Sequence, residues 1–200
     1  MKQTMQLASL AAGAAVILAL TGCATDTKQT NTATTATPAA SKMTVTTAQA
    51  SEFYVVLPED GRIYAFGDTK NYMSYLAHSE VPLTRTRIGA GPGGKTVVFG
   101  ITSDDVKKNE PSTAEKIMDG KLEAASNFHG EAFKAGRFYV FNDMRDMMAF
   151  TAYGEVPYSY TDIGAGPKGE TLVWVMNKDS YKKGRPLSTI ERFRSLRAAK

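Results

Sequence analysis

Hydrophobic and polar residues alternate along the middle of the chain in a pattern that predicts short strands joined by tight turns. Residues 53–57 are apolar and β-prone, residues 58–61 (Pro-Glu-Asp-Gly) have turn chemistry, and residues 62–66 form the returning strand. A helix capped by Asp68 follows, then a second hairpin of residues 83–88 and 96–101. A last helix opens on a capping box formed by Ser112 and Glu115. The pattern predicts a ββαββα unit.

The same pattern occurs a second time, because the chain matches itself after a shift of 75 residues. Residues 61–66 (Gly-Arg-Ile-Tyr-Ala-Phe) align with residues 136–141 (Gly-Arg-Phe-Tyr-Val-Phe), and Ile-Gly-Ala-Gly-Pro occurs at 88–92 and 163–167. In the second copy Asp143 caps the first helix, residues 158–163 pair with 171–176, and Ser188 and Glu191 open the last helix. Two copies are too few for a solenoid. We therefore predict a tandem duplication, residues 51–125 and 126–200, within one compact pseudo-two-fold domain.

Strands joined as hairpins favour an antiparallel or mixed sheet with the helices packed on one face, an α+β fold. The run from Leu172 to Met176 is apolar at every position, which predicts a central strand covered on both faces.

The first 23 residues have a different pattern. Lys2 precedes an uncharged apolar run of about 14 residues, shorter than the ~20 residues that a membrane-spanning helix needs. The run ends in Leu20-Thr21-Gly22-Cys23. This tetrapeptide resembles the lipobox of bacterial lipoproteins. The resemblance implies that residues 1–22 are a signal peptide and that Cys23 carries covalent lipid.

The residues after the lipobox extend this expectation. The residue following Cys23 is Ala24 and not the Asp that retains enterobacterial lipoproteins at the inner membrane, so the resemblance implies an outer-membrane location. Residues 24–50 are rich in Thr and Ala and contain no aromatic residue, which predicts a flexible tether that spans about 30 Å. The alternative is an ordered first strand at residues 43–47.

Two glycine-rich segments match the G-x-G-x-x-G pattern, at residues 89–94 and 164–169. A dinucleotide site requires that this pattern open a helix, whereas here strand-forming residues follow. We predict structural hairpin loops in which Pro fixes φ and glycines such as Gly91 and Gly166 have positive φ. The alternatives are nucleotide binding and a loop that docks a partner through exposed backbone N–H groups.

The remaining composition offers little catalytic or metal chemistry. Cys23 is the only cysteine, and His78 and His129 are the only histidines. Met144, Met147 and Met148 lie at helical spacing, which indicates core packing or, alternatively, a Cu(I) site. The net charge of +4 gives no strong case for nucleic acid. We therefore predict no enzyme, no metal site and no cofactor other than the lipid on Cys23.

Polar residues repeated in both copies are the candidate binding residues: Arg62, Tyr64, Glu80, Arg137, Tyr139 and Glu155. One interpretation is an Arg–Glu pair that stabilises each repeat; the other is a pair of Arg/Tyr surfaces that hold a ligand. The leading functional hypothesis is a non-enzymatic binding or assembly module of the cell envelope, anchored to a membrane, with an unknown protein or polymer partner. The alternative is a small-ligand carrier or sensor with a tyrosine-lined pocket between the repeats.

Overall fold

Two long parallel strands, β1 (Gln49–Leu57) and β5 (Glu123–Lys134), lie at the centre of an eight-stranded sheet. The computed structural model describes residues 48–198. The predicted signal peptide, Cys23 and the tether as far as residue 47 lie outside the described residues.

The sheet is mixed, with strand order β3-β4-β2-β1-β5-β6-β8-β7. Four antiparallel hairpins join β1 to β2, β3 to β4, β5 to β6 and β7 to β8, while β1–β5, β2–β4 and β6–β8 pair in parallel. All four predicted hairpins are confirmed. The remaining strands are β2 (Ile63–Phe66), β3 (Thr84–Arg87), β4 (Val97–Gly100), β6 (Arg137–Phe141), β7 (Tyr158–Asp162) and β8 (Thr171–Met176).

Six helices occur in the described residues: α1 (Thr69–His78), α2 (Ser103–Lys108), α3 (Thr113–Met118), α4 (Met144–Tyr153), α5 (Lys178–Tyr181) and α6 (Leu187–Ala198). Asp68 and Asp143 cap α1 and α4 as predicted, and Ser112 forms the predicted capping box with Glu115. The prediction for the last helix is wrong, because α6 begins at Leu187 and Ser188 lies inside its first turn. The short helices α2 and α5 were not predicted.

The helices lie on both faces of the sheet, so the prediction of a single covered face is wrong. Phe53 and Val55 of β1 pack in one cluster with α3 and α4, while Tyr54 and Val56 pack in the other with α1 and α6. Successive side chains of a strand point to opposite faces. Because β1 is apolar at four consecutive positions, helices must cover the sheet on both faces of this strand.

The apolar strand β8 is buried on both faces, as its sequence predicts, but it is second from one edge and not central. Met144 and Met147 of α4 are buried in the core, which agrees with the packing interpretation of the methionines.

The two glycine-rich segments are hairpin loops between antiparallel strands, as predicted. Gly91 N donates to Lys95 O at 2.9 Å, and Gly166 N donates to Glu170 O at 2.8 Å. The predicted positive φ at Gly91 is wrong, because its φ is −88°, and Gly166 is likewise not among the glycines with positive φ. Positive φ occurs instead at neighbouring glycines, such as Gly89 and Gly164.

Gly91 is expected to resist substitution because of close packing and not because of its φ. A Cβ at this position would lie 2.9 Å from Val97 Cγ2 and 3.0 Å from both Ile63 Cδ1 and Lys95 O. We expect Gly91→Ala to lower the free energy of unfolding by about 1–3 kcal/mol in urea denaturation. Ala90→Ser, at an exposed position of the same loop, serves as the control and should change it by less than about 0.5 kcal/mol. Equal stability of Gly91→Ala and wild type would contradict the packing argument.

Candidate functional site

The two candidate tyrosines lie on opposite faces of the sheet. Tyr64 packs against Tyr75 of α1, with ring centroids 4.7 Å apart, whereas Tyr139 packs against Phe150 of α4 at 4.3 Å. The structure therefore does not bring them together into one surface.

The four charged candidates, Arg62, Glu80, Arg137 and Glu155, are exposed. Arg62 pairs with Asp60 of the preceding turn, with Nε and Oδ2 3.8 Å apart. In the part of the chain that the structure describes, no ion pair joins Arg62 to Glu80 or Arg137 to Glu155, so the Arg–Glu interpretation lacks the contact it requires.

A cleft of about 520 Å³ lies between α1 and α6, above β5 and β6. This volume is within the range typical of small-molecule sites. Its walls are mainly apolar and contain no tyrosine, in contrast to the predicted tyrosine lining. The apolar walls are formed by Met73, Leu76, Ala77, Phe133, Phe138 and Leu196.

Polar groups enter the cleft from two places. Lys168 and Glu170 come from the β7–β8 loop, and Arg197 comes from the last turn of α6. Lys168 belongs to no ion pair among the described residues, whereas the Glu170 carboxylate accepts a hydrogen bond from Lys168 N at 2.7 Å. The rim therefore carries one positive charge, on Lys168, and one negative charge, on Glu170, and neither belongs to an ion pair among the described residues.

Arg197 is held by a buried carboxylate on the central strand β5. Its Nη1 donates to Glu131 Oε1 at 2.9 Å and its Nη2 donates to Oε2 at 2.6 Å, a bidentate pair. The Glu131 side chain has no exposed surface. The guanidinium also lies over the rings of Phe193 and Phe138, with Cζ 3.5 Å and 4.9 Å from the centroids. These contacts fix α6 against the sheet and so position one wall of the cleft.

His129 completes this buried group, the Glu131 cluster, which consists of Glu131, His129 and Arg197. His129 Nε2 lies 2.9 Å from Glu131 Oε1. Burial opposes ionisation of Glu131, but the hydrogen bonds from Arg197 and His129 outweigh it and hold its pKa below the usual value. The carboxylate is therefore ionised at neutral pH.

Two buried tyrosines lie beside the Glu131 cluster. Tyr54 and Tyr72 stack with ring centroids 4.4 Å apart, and the Tyr54 hydroxyl lies 2.7 Å from Thr69 Oγ1. The Tyr72 hydroxyl is buried without a hydrogen-bond partner among the described residues. Burial, with the nearby charge of Glu131, raises the pKa of Tyr72 well above its ordinary value. Both rings stay neutral and serve as packing groups.

Sequence reasoning missed Glu131 and Arg197, although one signal pointed to Glu131. Under the 75-residue shift Glu131 aligns with Val56, so a carboxylate occupies a strand position that is apolar in the other half. A buried charge at such a position requires a partner. The sequence does not identify Arg197 as that partner, because the two residues are 66 positions apart.

Two further kinds of feature are absent from the described residues. Residues 48–198 contain no group of three or more His, Cys, Asp or Glu side chains placed to hold a metal ion. No helix in the same range has the length and apolarity required to cross a bilayer.

The Glu131–Arg197 pair should make stability depend on pH. Because the pKa of Glu131 is lowered in the folded state, the stabilisation is present above the unfolded pKa and is lost as pH falls through the folded pKa. We expect Arg197→Leu to cost about 3–5 kcal/mol at pH 7, since it leaves a buried carboxylate without its partner. The cost should shrink as the pH falls toward and through the lowered folded-state pKa of Glu131, because a protonated carboxyl no longer requires the charge of Arg197. Arg194→Leu, on the exposed side of α6, is the control in urea denaturation across pH; a cost independent of pH would contradict the assignment.

Comparisons with known proteins returned no match of the chain to a family model, to a curated protein or to a solved structure.

Proposed function

We propose that this protein is a lipid-anchored, non-enzymatic binding module of the cell envelope that receives an amphipathic small ligand in the cleft between α1 and α6. The lipobox at residues 20–23 supports the anchor, and Ala24, in place of the Asp that retains enterobacterial lipoproteins at the inner membrane, favours the outer membrane. The cleft supports the ligand site and is the observation that carries the proposal.

The composition of the cleft suggests which ligands fit it. Side chains of Met, Leu and Phe offer an apolar wall to an acyl or aromatic body. The unpaired ammonium of Lys168 at the rim favours a carboxylate, sulfonate or phosphate at one end of the ligand. The walls contribute no pair of a nucleophile and a base, so binding is favoured over catalysis.

We further propose that the two halves descend from one duplicated unit and are related by a pseudo-two-fold axis parallel to the strands, between β1 and β5. The strand order supports this arrangement. From the edge of the sheet to its centre, one half has the order β3-β4-β2-β1 and the other half has the matching order β7-β8-β6-β5. The helices support it as well. Under the 75-residue shift α1 corresponds to α4 and α3 to α6, and each corresponding pair lies on opposite faces of the sheet. An axis along the strands exchanges the faces in this way.

The corresponding position on the other face holds only a small cavity of about 120 Å³. Pro58, Lys95, Thr151 and Ala152 line it, and under the shift they correspond to Phe133, Glu170, Leu76 and Ala77 of the cleft. The difference in volume between the two cavities supports a single ligand site, in the larger cleft.

Assembly with a protein or polymer partner is the second candidate function. Three tyrosines form an aromatic group at edge strand β7, where Tyr158 and Tyr160 lie 5.3 Å and 5.0 Å from the ring of Tyr181. Tyr158 and Tyr181 are partly exposed, as a binding surface requires.

The cleft can be tested with anilinonaphthalene sulfonate, a fluorescent probe that has an apolar body and one negative charge. In the full chain, Ala77→Trp fills the cleft mouth and should weaken probe binding about tenfold or more. Ala152→Trp is the matched control, because Ala152 occupies the corresponding position of α4; it should leave the affinity within about twofold. Lys168→Ala should weaken binding of the anionic probe. Equal effects of the two tryptophan variants would contradict the cleft assignment.

The anchor can be tested by phase separation of the exported protein with a detergent. The wild-type chain should enter the detergent phase, because acyl chains contribute about 0.8 kcal/mol per buried CH₂. Cys23→Ser removes the acceptor sulfur and should move the protein to the aqueous phase. A wild-type protein already found in the aqueous phase after export would disprove the anchor.

A further inference from the structure

Two exposed isoleucines lie at the same edge of the sheet. Strands β3 and β7 run in the same direction as β1 and β5, so their carboxyl ends reach one edge. Ile88 follows β3 and Ile163 follows β7, and each is 88% exposed. The carboxyl ends of β1, β3, β5 and β7 and the four hairpin turns that follow them form this end of the sheet, which we call the loop edge.

A third exposed apolar residue lies at the loop edge. Tyr153, at the carboxyl end of α4, is 80% exposed. It borders a small cavity together with Leu57 and Pro58, at the β1–β2 turn. In the part of the chain that the structure describes, Ile88, Ile163 and Tyr153 are the most exposed of the large hydrophobic side chains.

Exposed Lys and Arg side chains lie at the same edge as these exposed apolar residues. Lys95 and Lys168 belong to the β3–β4 and β7–β8 loops, and Arg62 and Arg137 follow the turns of the two central hairpins. Acidic residues lie at this edge as well: Glu59 is exposed in the β1–β2 turn, and Glu155 is exposed two residues after Tyr153. Asp60 pairs with Arg62, and the Glu170 carboxylate accepts from the backbone of Lys168.

The distance between the exposed apolar residues Ile88 and Ile163 favours a flat surface as their binding partner. Ile88 and Ile163 follow the two outermost strands of the eight-stranded sheet, so they lie about 30 Å apart. A protein interface concentrates its binding energy in a contiguous, well-packed centre. Isolated aliphatic and aromatic tips interspersed with Lys and Arg are instead suited to the interface of an anionic bilayer.

We propose that the loop edge docks on the surface of an anionic phospholipid bilayer. Ile88 and Ile163 enter the interfacial region, Tyr153 lies at the level of the headgroups, and the surrounding cations contact lipid phosphates. This docking requires neither a ligand in the cleft nor lipidation of Cys23.

The test uses the full chain reconstituted in vesicles, with an environment-sensitive fluorophore attached to Ile163→Cys. The matched control is Leu187→Cys. Leu187 is also an exposed large hydrophobic residue, at 71%, but it starts α6 on the opposite side of the molecule from the loop edge. Arg192, further along α6, contacts Ser51 O at the start of β1, which is the end of the strand opposite the loop edge. The carboxyl end of α6 lies beside Lys168, at the loop edge. Labelled wild-type protein measures any background from Cys23.

In vesicles of phosphatidylcholine and phosphatidylglycerol, we expect a lipid-borne nitroxide to quench the label at position 163 about twofold. The label at position 187 should stay unquenched. Adding Lys95→Glu and Lys168→Glu to the Ile163→Cys protein should abolish the quenching, as should omitting phosphatidylglycerol. Adding Ile88→Ser should reduce it.

Two results would overturn the proposal. Equal quenching at positions 163 and 187 would mean that the chain lies on the bilayer without preference for the loop edge. No quenching at position 163 in anionic vesicles would mean that the loop edge does not contact lipid. All substituted side chains are exposed, so unchanged circular dichroism and thermal unfolding should accompany every variant.

Discussion

The bidentate contact between the Arg197 guanidinium and the buried Glu131 carboxylate holds the last helix on the centre of the sheet. The carboxylate lies on β5 with no exposed surface, so its ionised form depends on Arg197 and His129 for hydrogen bonds. Because α6 forms one wall of the cleft, this pair helps to fix the position of that wall. Replacing such a pair by apolar residues often costs little stability, whereas removing one partner is expensive. The pair therefore fixes where α6 lies more than it adds to the net stability.

The sheet imposes a second constraint, because its central strands are apolar on both faces and its two edges need protection. At one edge Arg85 and Arg87 of β3 each approach the buried carboxylate of Glu115 to 2.7 Å, which ties the strand to α3. At the other edge Asp162 of β7 accepts from Trp174 Nε1 at 2.7 Å and pairs with Arg185. Charged side chains on short edge strands discourage pairing with other chains. The polar groups of the two edges thus disfavour the addition of a further strand.

The cleft and the loop edge meet at Lys168, which lies on the rim of one and in a loop of the other. Docking of the loop edge on a bilayer would place the mouth of the cleft close to the lipid surface. An amphipathic ligand could then pass between the bilayer and the cleft without crossing much water. The proposed lipid anchor is compatible with this orientation, because the 25 residues between Cys23 and Gln49 can extend to about 80 Å, whereas β1 is only about 30 Å long.

The sequence by itself determined the local elements. Alternation of apolar and polar residues placed the four hairpins, Asp68 and Asp143 marked the starts of α1 and α4, and the residues after each glycine-rich segment indicated a strand. These features depend on neighbours within a few positions. The tertiary structure alone decided that β1 and β5 pair in parallel, that helices cover both faces, and that Gly91 is confined by packing. It also decided that Glu131 meets Arg197 and that a cleft remains between α1 and α6. Such contacts join residues far apart in the chain, and an apolar or charged residue does not specify which distant partner it will meet.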